Sequence, residues 1–322
     1  MGIDVIKTIH KKIFEHMKTV VVGKEDVIEL AIISLLCNGH MLIDDVPGTG
    51  KTVFAKTFAQ SLALDFKRIQ CVPDMLPSDL TGVNFFDMKE SEFRFIPGPV
   101  FTNILLVDEI NRAMPKTQSG LLECMEERQV TVDGVTYTLN SPFMVMATQN
   151  PIESKGTFDL PEAQLDRFLI KVSMGYPTIK ENVEILSRKL NMDVIFNDKA
   201  ELVNIGEIKK ARSELDSVYI HSDLLNYIVS ICEATRKEKN VVLGASPRAM
   251  ISLAYVARGY AAIGGRNYVL PDDIKRASMP VLSHRIMFQD NFFTREDLGA
   301  KLVSSILDII PVPSENIDFS LR

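Results

Sequence analysis

The chain has 322 residues, 46% of them hydrophobic and 24% charged, with a net charge of −6 and four cysteines. It is long enough for roughly two domains with real cores, and no apolar run reaches the ~18–20 residues that would span a bilayer. The acidic balance argues against a broad nucleic-acid surface. Cys37, Cys71, Cys124 and Cys232 include no Cys-x-x-Cys pair and read as buried, reduced thiols rather than a zinc or redox centre.

In chain order, Met1 to Lys7 lacks the apolar core and cleavage site of a secretory signal, so none is expected. Residues 27–36 have the apolar spacing of a helix and 40–44 that of a strand. Helical spacing returns at 53–59, and 66–71 read as a strand. Residues 81–89 and 92–96 flank a polar turn and read as a hairpin. An apolar strand over 103–109 ends in two carboxylates, and 116–127 read as a helix. Residues 129–139 are a second hairpin, with Asp133-Gly134 at its turn. Further strands fall at 143–148 and 169–174. Strands alternating with helices imply a parallel sheet covered on both faces.

From Thr178 onward the pattern is mainly helical, over 180–190, 205–215, 222–236, 247–263 and 271–277. A last helix over 294–307 precedes an extended, Pro-containing tail at 311–322. The expected organisation is an α/β domain over 1–176 carrying two inserted hairpins, a helical domain over 177–290, and a C-terminal helix and tail over 291–322.

The chemistry starts at Asp44-Asp45-Val46-Pro47-Gly48-Thr49-Gly50-Lys51-Thr52. A strand, a glycine-rich turn and Lys-Thr at a helix start form the context of a phosphate-binding loop. Gly48 and Gly50 let the backbone wrap a polyphosphate with its N–H groups inward, and the helix N-terminus adds positive charge. Lys51 can reach the β- and γ-phosphates, and the Thr52 hydroxyl can bind Mg²⁺. Asp45 replaces the first glycine of the pattern, and Asp tolerates unusual turn geometry.

Four further signals accompany the loop. Leu105-Leu106-Val107-Asp108-Glu109 delivers two acids at a strand's C-terminal end, where open α/β sheets bind ligands. Asp108 suits the Mg²⁺ shell, and Glu109 suits a general base that activates water. Asn150, just past the next strand, can orient that water; a turn-forming Asn before Pro151 is the plainer reading. Arg167 reads as an arginine finger for a neighbouring subunit or as a surface arginine paired to Glu162 or Asp166. In the helical region, Ser246-Pro247-Arg248 combines an N-cap, a first-turn proline and a basic side chain. A cation at a helix N-terminus is unfavourable and invites a phosphate contact as its explanation.

Together these residues resemble the AAA+ ATPases, and the MoxR family in particular. The resemblance covers about residues 10–290. It rests on Val21 to Lys24, Asp45 to Thr52, Pro73 to Gly82, Leu106 to Ala113, Ala147 to Glu153, Leu160 to Phe168 and Ala245 to Arg248. It implies a P-loop AAA+ core, with a parallel sheet flanked by helices, and an all-helical lid. Cofactors would be ATP and Mg²⁺, held by Val22, Gly23, Val46, Pro47, Gly48, Thr49, Gly50, Lys51 and Thr52, with Thr52 and Asp108 on the metal. Glu109, Asn150, Arg167 and Arg248 would be catalytic, the last three as first sensor, trans-acting finger and second sensor. The hairpins match inserts that face a central pore in relatives.

The resemblance further implies a homo-oligomeric ring, usually a hexamer, that hydrolyses ATP and acts like a chaperone. Such proteins assist assembly, maturation or metal insertion in partner complexes. Partners would include proteins with a von Willebrand factor A domain. A cytoplasmic location is expected, with peripheral attachment to a membrane through partners left open. Two alternatives compete: a nucleic-acid motor, for which the basic run at Arg236-Lys237-Glu238-Lys239 is a weak pointer, and a nucleotide-dependent scaffold. Residues 148–151 do not supply a guanine-reading Asn-Lys-x-Asp, which favours ATP over GTP.

Overall fold

The structure, a computed structural model, describes residues 3–44, 48–150, 156–190, 203–289 and 298–313. They divide into two compact units: Lys11–Phe168 with Val172–Ile205, and Met1–His10 with Leu169–Lys171 and Gly206–Arg322. The chain division expected at 176/177 therefore differs from the observed grouping. Residues 179–190 belong to the first unit, and the N-terminal turns belong to the second.

The first helix, α1 (Asp4–Val20), lies before the residues in which alternation was read. Ile6, Ile9, Ile13 and Met17 recur every three or four residues and are fully buried, which is what makes this segment a helix. It is followed by α2 (Glu25–Leu36), β1 (Met41–Asp44), α3 (Lys51–Ser61), β2 (Phe66–Gln70) and the short α4 (Pro77–Thr81). Next come the hairpin β3 (Gly82–Asp87) and β4 (Glu92–Pro97), then β5 (Ile104–Asp108) and α5 (Pro115–Glu127). The hairpin β6 (Gln129–Val132) and β7 (Val135–Thr138), β8 (Met144–Gln149), α6 (Glu162–Leu165), β9 (Ile170–Val172) and α7 (Ile179–Leu190) complete the series.

The sheet has the order β2-β5-β8-β1-β9, and β2, β5, β8 and β1 pair in parallel. Its core gathers Leu42, Leu105, Val107, Val145, Ala147 and Phe168 with Leu121, Leu122 and Met125 of α5. β5 is buried along its whole length, as a central strand covered on both faces must be. The registers align Gln70 with Asp108 and Asp44 with Gln149, so the C-terminal ends of these strands form one edge.

Both hairpins form as read. At the tip of β6–β7, Asp133 (φ 49°) and Gly134 (φ 80°) both lie in the left-handed region, the geometry of a type I′ turn. The hairpins touch through Asn84 Nδ2, which donates to Asp133 Oδ2 at 2.8 Å, and through Phe95 stacked on Tyr137 with ring centroids 4.1 Å apart.

The second unit contains α8 (Ile205–Asp216), α9 (Ser222–Lys237), β10 (Val241–Leu243), α10 (Pro247–Ile263), α11 (Pro271–Leu282), β11 (Met287–Phe288) and α12 (Leu298–Ile309). It is not purely helical: β10 and β11 form a small antiparallel ribbon. α11 runs past the residue where the sequence pattern stopped and contains Pro280. Arg266 clamps its first turn through two bonds to the Asp273 carboxylate, at 2.6 and 2.7 Å. Among the described residues no helix is long and apolar enough to cross a membrane.

Candidate active site

The residues read as a phosphate loop stand between β1 and α3 in the chain. Asp45, Val46 and Pro47 lie outside the described residues, and the description resumes at Gly48. Gly48 (φ 85°) and Gly50 (φ 88°) both adopt left-handed backbone. A Cβ at either would meet no heavy atom within 4 Å, so the turn's backbone angles, not crowding, call for glycine. Gly50 caps α3, and its carbonyl accepts from the Phe54 N–H at 2.9 Å. Thr49, Lys51 and Thr52 are half-buried at this turn. The N-terminal turn of a helix carries N–H groups that the helix itself does not use, which is why such a turn suits an anion.

The two acids stand at the end of β5. Thr52 Oγ1 lies 3.5 Å from Asp108 Oδ2. On the neighbouring strand β8, the buried Thr148 hydroxyl donates to Asp108 Oδ1 at 3.3 Å and accepts from the Glu109 N–H at 2.9 Å. One hydroxyl thus orients both acidic residues. Glu109 itself has φ 56° and ψ 51°, a left-handed conformation that non-glycine residues seldom adopt. Such conformations persist where surrounding contacts over-determine them, and they concentrate at functional sites.

That conformation turns the Glu109 carboxylate toward two donors. Gln70 Nε2 reaches Glu109 Oε2 at 2.8 Å, and Arg112 Nε pairs with the same oxygen at 2.9 Å. Arg68 Nε donates to Asp108 Oδ2 at 2.6 Å, and Arg68 Nη2 donates to Gln70 Oε1 at 3.2 Å. The pleat explains this grouping. Ile69 points into the core, so Arg68 and Gln70 share the other face of β2, and Gln70 is register partner to Asp108. Beside them, burial and then the charges of Asp108 and Glu109 push the Cys71 thiol up to about 12, so it stays protonated and inert.

Asn150 is buried directly after β8, and its carbonyl accepts from Asn111 Nδ2 at 3.4 Å. Gln118 on α5 braces the same region, donating to the Ile110 carbonyl at 3.2 Å and the Phe158 carbonyl at 2.9 Å. Arg167 pairs with Glu126 of α5, Nε to Oε2 at 3.1 Å, an acid the sequence reading did not name. Val22 and Gly23 lie before α2. Gly23 (φ 68°) packs so closely on Glu181 that a Cβ there would fall 2.0 Å from the carboxylate. Arg248 belongs to the second unit. It is exposed in the first turn of α10, where Ser246 caps the helix by accepting from the Ala249 N–H at 3.1 Å.

The structure therefore brings Thr52, Asp108, Glu109 and Asn150 to one edge of the sheet. It adds Arg68, Gln70, Arg112 and Thr148, which the sequence reading missed. The signal for Arg68 and Gln70 was the alternation around Ile69. For Thr148 there was only its place in an otherwise apolar strand.

Comparison with known proteins agrees with this architecture. The profile of the ATPase family associated with various cellular activities (AAA) matches residues 40–170, and the AAA lid domain matches residues 233–304. Chaperone MoxR1 of Mycobacterium tuberculosis is 38% identical over 320 residues, covering 97% of this chain and 84% of that protein. The chain belongs to the MoxR family of AAA+ ATPases. An uncharacterized Bacillus subtilis relative, YeaC, is 45% identical over 302 residues, 94% of each chain. Protein MoxR of Paracoccus denitrificans is 31% identical over 325 residues, covering 92% of this chain and 94% of its own. A solved structure of a candidate ATPase from Cytophaga hutchinsonii superimposes with a TM-score of 0.86 at 36% identity, covering 97% of this chain and 98% of that one. The MoxR assignment joins both units in one chain: the AAA match spans the sheet and its loop, and the lid match spans most of the helical unit.

Proposed function

We propose that this chain binds ATP with Mg²⁺, hydrolyses it to ADP and phosphate, and uses the cycle to remodel partner protein complexes. The observation that carries the reading is the meeting of Thr52, Asp108 and Glu109 at the sheet edge, next to a glycine turn in left-handed backbone. The donor set fits the metal. Thr52 Oγ1 and Asp108 Oδ2, 3.5 Å apart, are a hydroxyl and a carboxylate oxygen, the hard oxygen donors that Mg²⁺ takes. Thr52 and Asp108 would hold the Mg²⁺, which when bound would offset the charge of the phosphates.

The remaining steps belong to the protein's own groups. Lys51 and the N–H groups of residues 48–52 hold the phosphates, and Val22 and Gly23 flank the base. Glu109 takes a proton from water as the water oxygen bonds to the γ-phosphorus and the bond to the bridging oxygen breaks. Asn150 orients that water. Arg167 of a neighbouring copy and Arg248 neutralise charge on the transferring group. Gln70 and Arg112 both hold Glu109 through Oε2 and so position its carboxylate.

A homo-oligomeric ring, hexameric as in the family, follows from a finger that serves the next subunit. The remodelling role draws support from the chaperone name of the M. tuberculosis relative. Partners with a von Willebrand factor A domain, and metal insertion as one task, are the finer reading. The test is phosphate release from Mg²⁺·ATP and Mg²⁺·GTP by wild-type protein and Lys51→Ala, alongside solution mass with and without ATP. ATP-selective release lost in Lys51→Ala is expected; release that survives Lys51→Ala would remove the phosphate loop from the reaction.

A further inference from the structure

We propose that Arg68 gates the metal: its guanidinium holds the Asp108 oxygen that suits Mg²⁺ and must leave before Mg²⁺ can bind there. This rests on the ATP reading of the same site. Asp108 ends a fully buried strand and is itself 8% exposed, so its charge needs a cation or strong donors around it. Thr148 supplies one neutral donor to Oδ1. The only cation the structure sets against Oδ2, among the described residues, is Arg68 at 2.6 Å. Oδ2 is also the oxygen that faces Thr52. The position that suits the metal and the position that suits the guanidinium thus draw on one carboxylate oxygen, and two cations there repel.

Arg68 is built to leave. It sits on β2, the edge strand of the sheet, and its side chain is 48% exposed. Swinging outward returns a charged head to water and opens no hole in the core. Its fork also donates to Gln70 Oε1 at 3.2 Å, so departure from Asp108 removes a partner from the amide that holds Glu109 at 2.8 Å. Metal arrival at Asp108 and loosening of the base are therefore joined through one side chain. By linkage, anything that draws Arg68 away tightens Mg²⁺ by the same factor.

The test titrates Mg²⁺ against a fixed concentration of a fluorescent, non-hydrolysable ATP analogue. It compares wild type, Arg68→Gln and Lys67→Gln. Lys67 is the adjacent cation on the opposite side of the pleat, with its amine 3.5 Å from the Gly98 carbonyl. In Arg68→Gln the half-saturating Mg²⁺ concentration should fall roughly fivefold, the scale of an ion pair with one half-exposed partner. Lys67→Gln should leave it unchanged. Without nucleotide, Arg68→Gln should melt below wild type, and the difference should close once Mg²⁺ and the analogue are bound. Should Arg68→Gln not fold, Arg68→Met removes the charge, keeps an unbranched apolar stem and shifts the midpoint in the same direction. An unchanged or raised midpoint in a folded Arg68 variant, or an equal fall in Lys67→Gln, overturns the proposal. Failure of wild type to bind the analogue at all, with Mg²⁺ or with EDTA, would refute the ATP reading itself.

Discussion

Replacing Glu109 by Gln exchanges one carboxylate oxygen for an amide nitrogen and keeps the side chain's shape. The variant should keep its fold and lose its turnover, and the two effects can be sized separately. On the stability side it weakens the pair with Arg112, whose partners are 38% and 27% exposed. A pair of that exposure contributes about 0.2–1 kcal/mol. A loss of 1 kcal/mol in a protein of this size lowers the melting midpoint by roughly 2–4 °C at most. On the chemical side, a positioned general base contributes about 10²–10⁴ in rate, which is roughly 2.7–5.4 kcal/mol of barrier. Loss of turnover should therefore exceed loss of stability several-fold in energy. The assay follows phosphate release under single turnover, binding of Mg²⁺·ATP and the thermal midpoint of the same preparation. Turnover within threefold of wild type, with binding and midpoint intact, would refute Glu109 as the base. It would also leave its left-handed backbone without a catalytic explanation.

Arg167→Ala removes the pair with Glu126, whose partners are 31% and 36% exposed, so stability should change by no more than about 1 kcal/mol. Turnover should fall by about 10³ or more if the arginine serves a neighbour. Mixing with Lys51→Ala subunits, which keep the finger, should restore part of it; a mixture no more active than its components would refute action in trans. His40 is buried, with Nε2 3.1 Å from the Met125 carbonyl and Nδ1 accepting from the Val145 N–H at 2.9 Å. Burial first, and then the charge of Arg128, hold its pKa well below 6.5. Unfolding lets it take up a proton, so its contribution is full above pH 6.5 and is lost as pH falls below that value. Thermal midpoints from pH 7.5 to 5 should drop in wild type and drop less in His40→Gln; parallel curves would refute this. Burial raises Cys71, Cys124 and Cys232 to about 12, whereas Cys37 is only half-buried. Native protein at pH 8 should therefore alkylate fastest at Cys37, read by peptide mass. Labelling of Cys71 at the same rate would contradict its placement.

Much of the site was legible because its signals are local. The loop needs glycine at Gly48 and Gly50 for left-handed turns, and the structure has both at positive φ. The Asp-Gly pair at 133–134 specifies a tight hairpin turn, and the backbone adopts it. Ser246 before Pro247 announces a helix start, and α10 begins there. Each depends on residues within a few positions of one another, where composition constrains backbone angles directly. α1 was equally legible in the spacing of Ile6, Ile9, Ile13 and Met17, but it precedes the alternating strands that framed the reading.

The contacts around the acids were not legible in this way. Sequence alternation says that Arg68 and Gln70 share a face of one strand. It does not say which strand lies alongside, because ladder hydrogen bonds are made by backbone groups that every residue carries. The order β2-β5-β8-β1-β9 places β2 against β5, and so sets Arg68 over Asp108 across a separation of 40 residues. The same order puts Thr148 of β8 against both acids. The amino-acid sequence by itself thus marked the glycine turn, the acids at the end of β5 and the family. The strand order of the folded chain settled which side chains hold those acids, because strand pairing is a long-range choice made by the packing of the whole core.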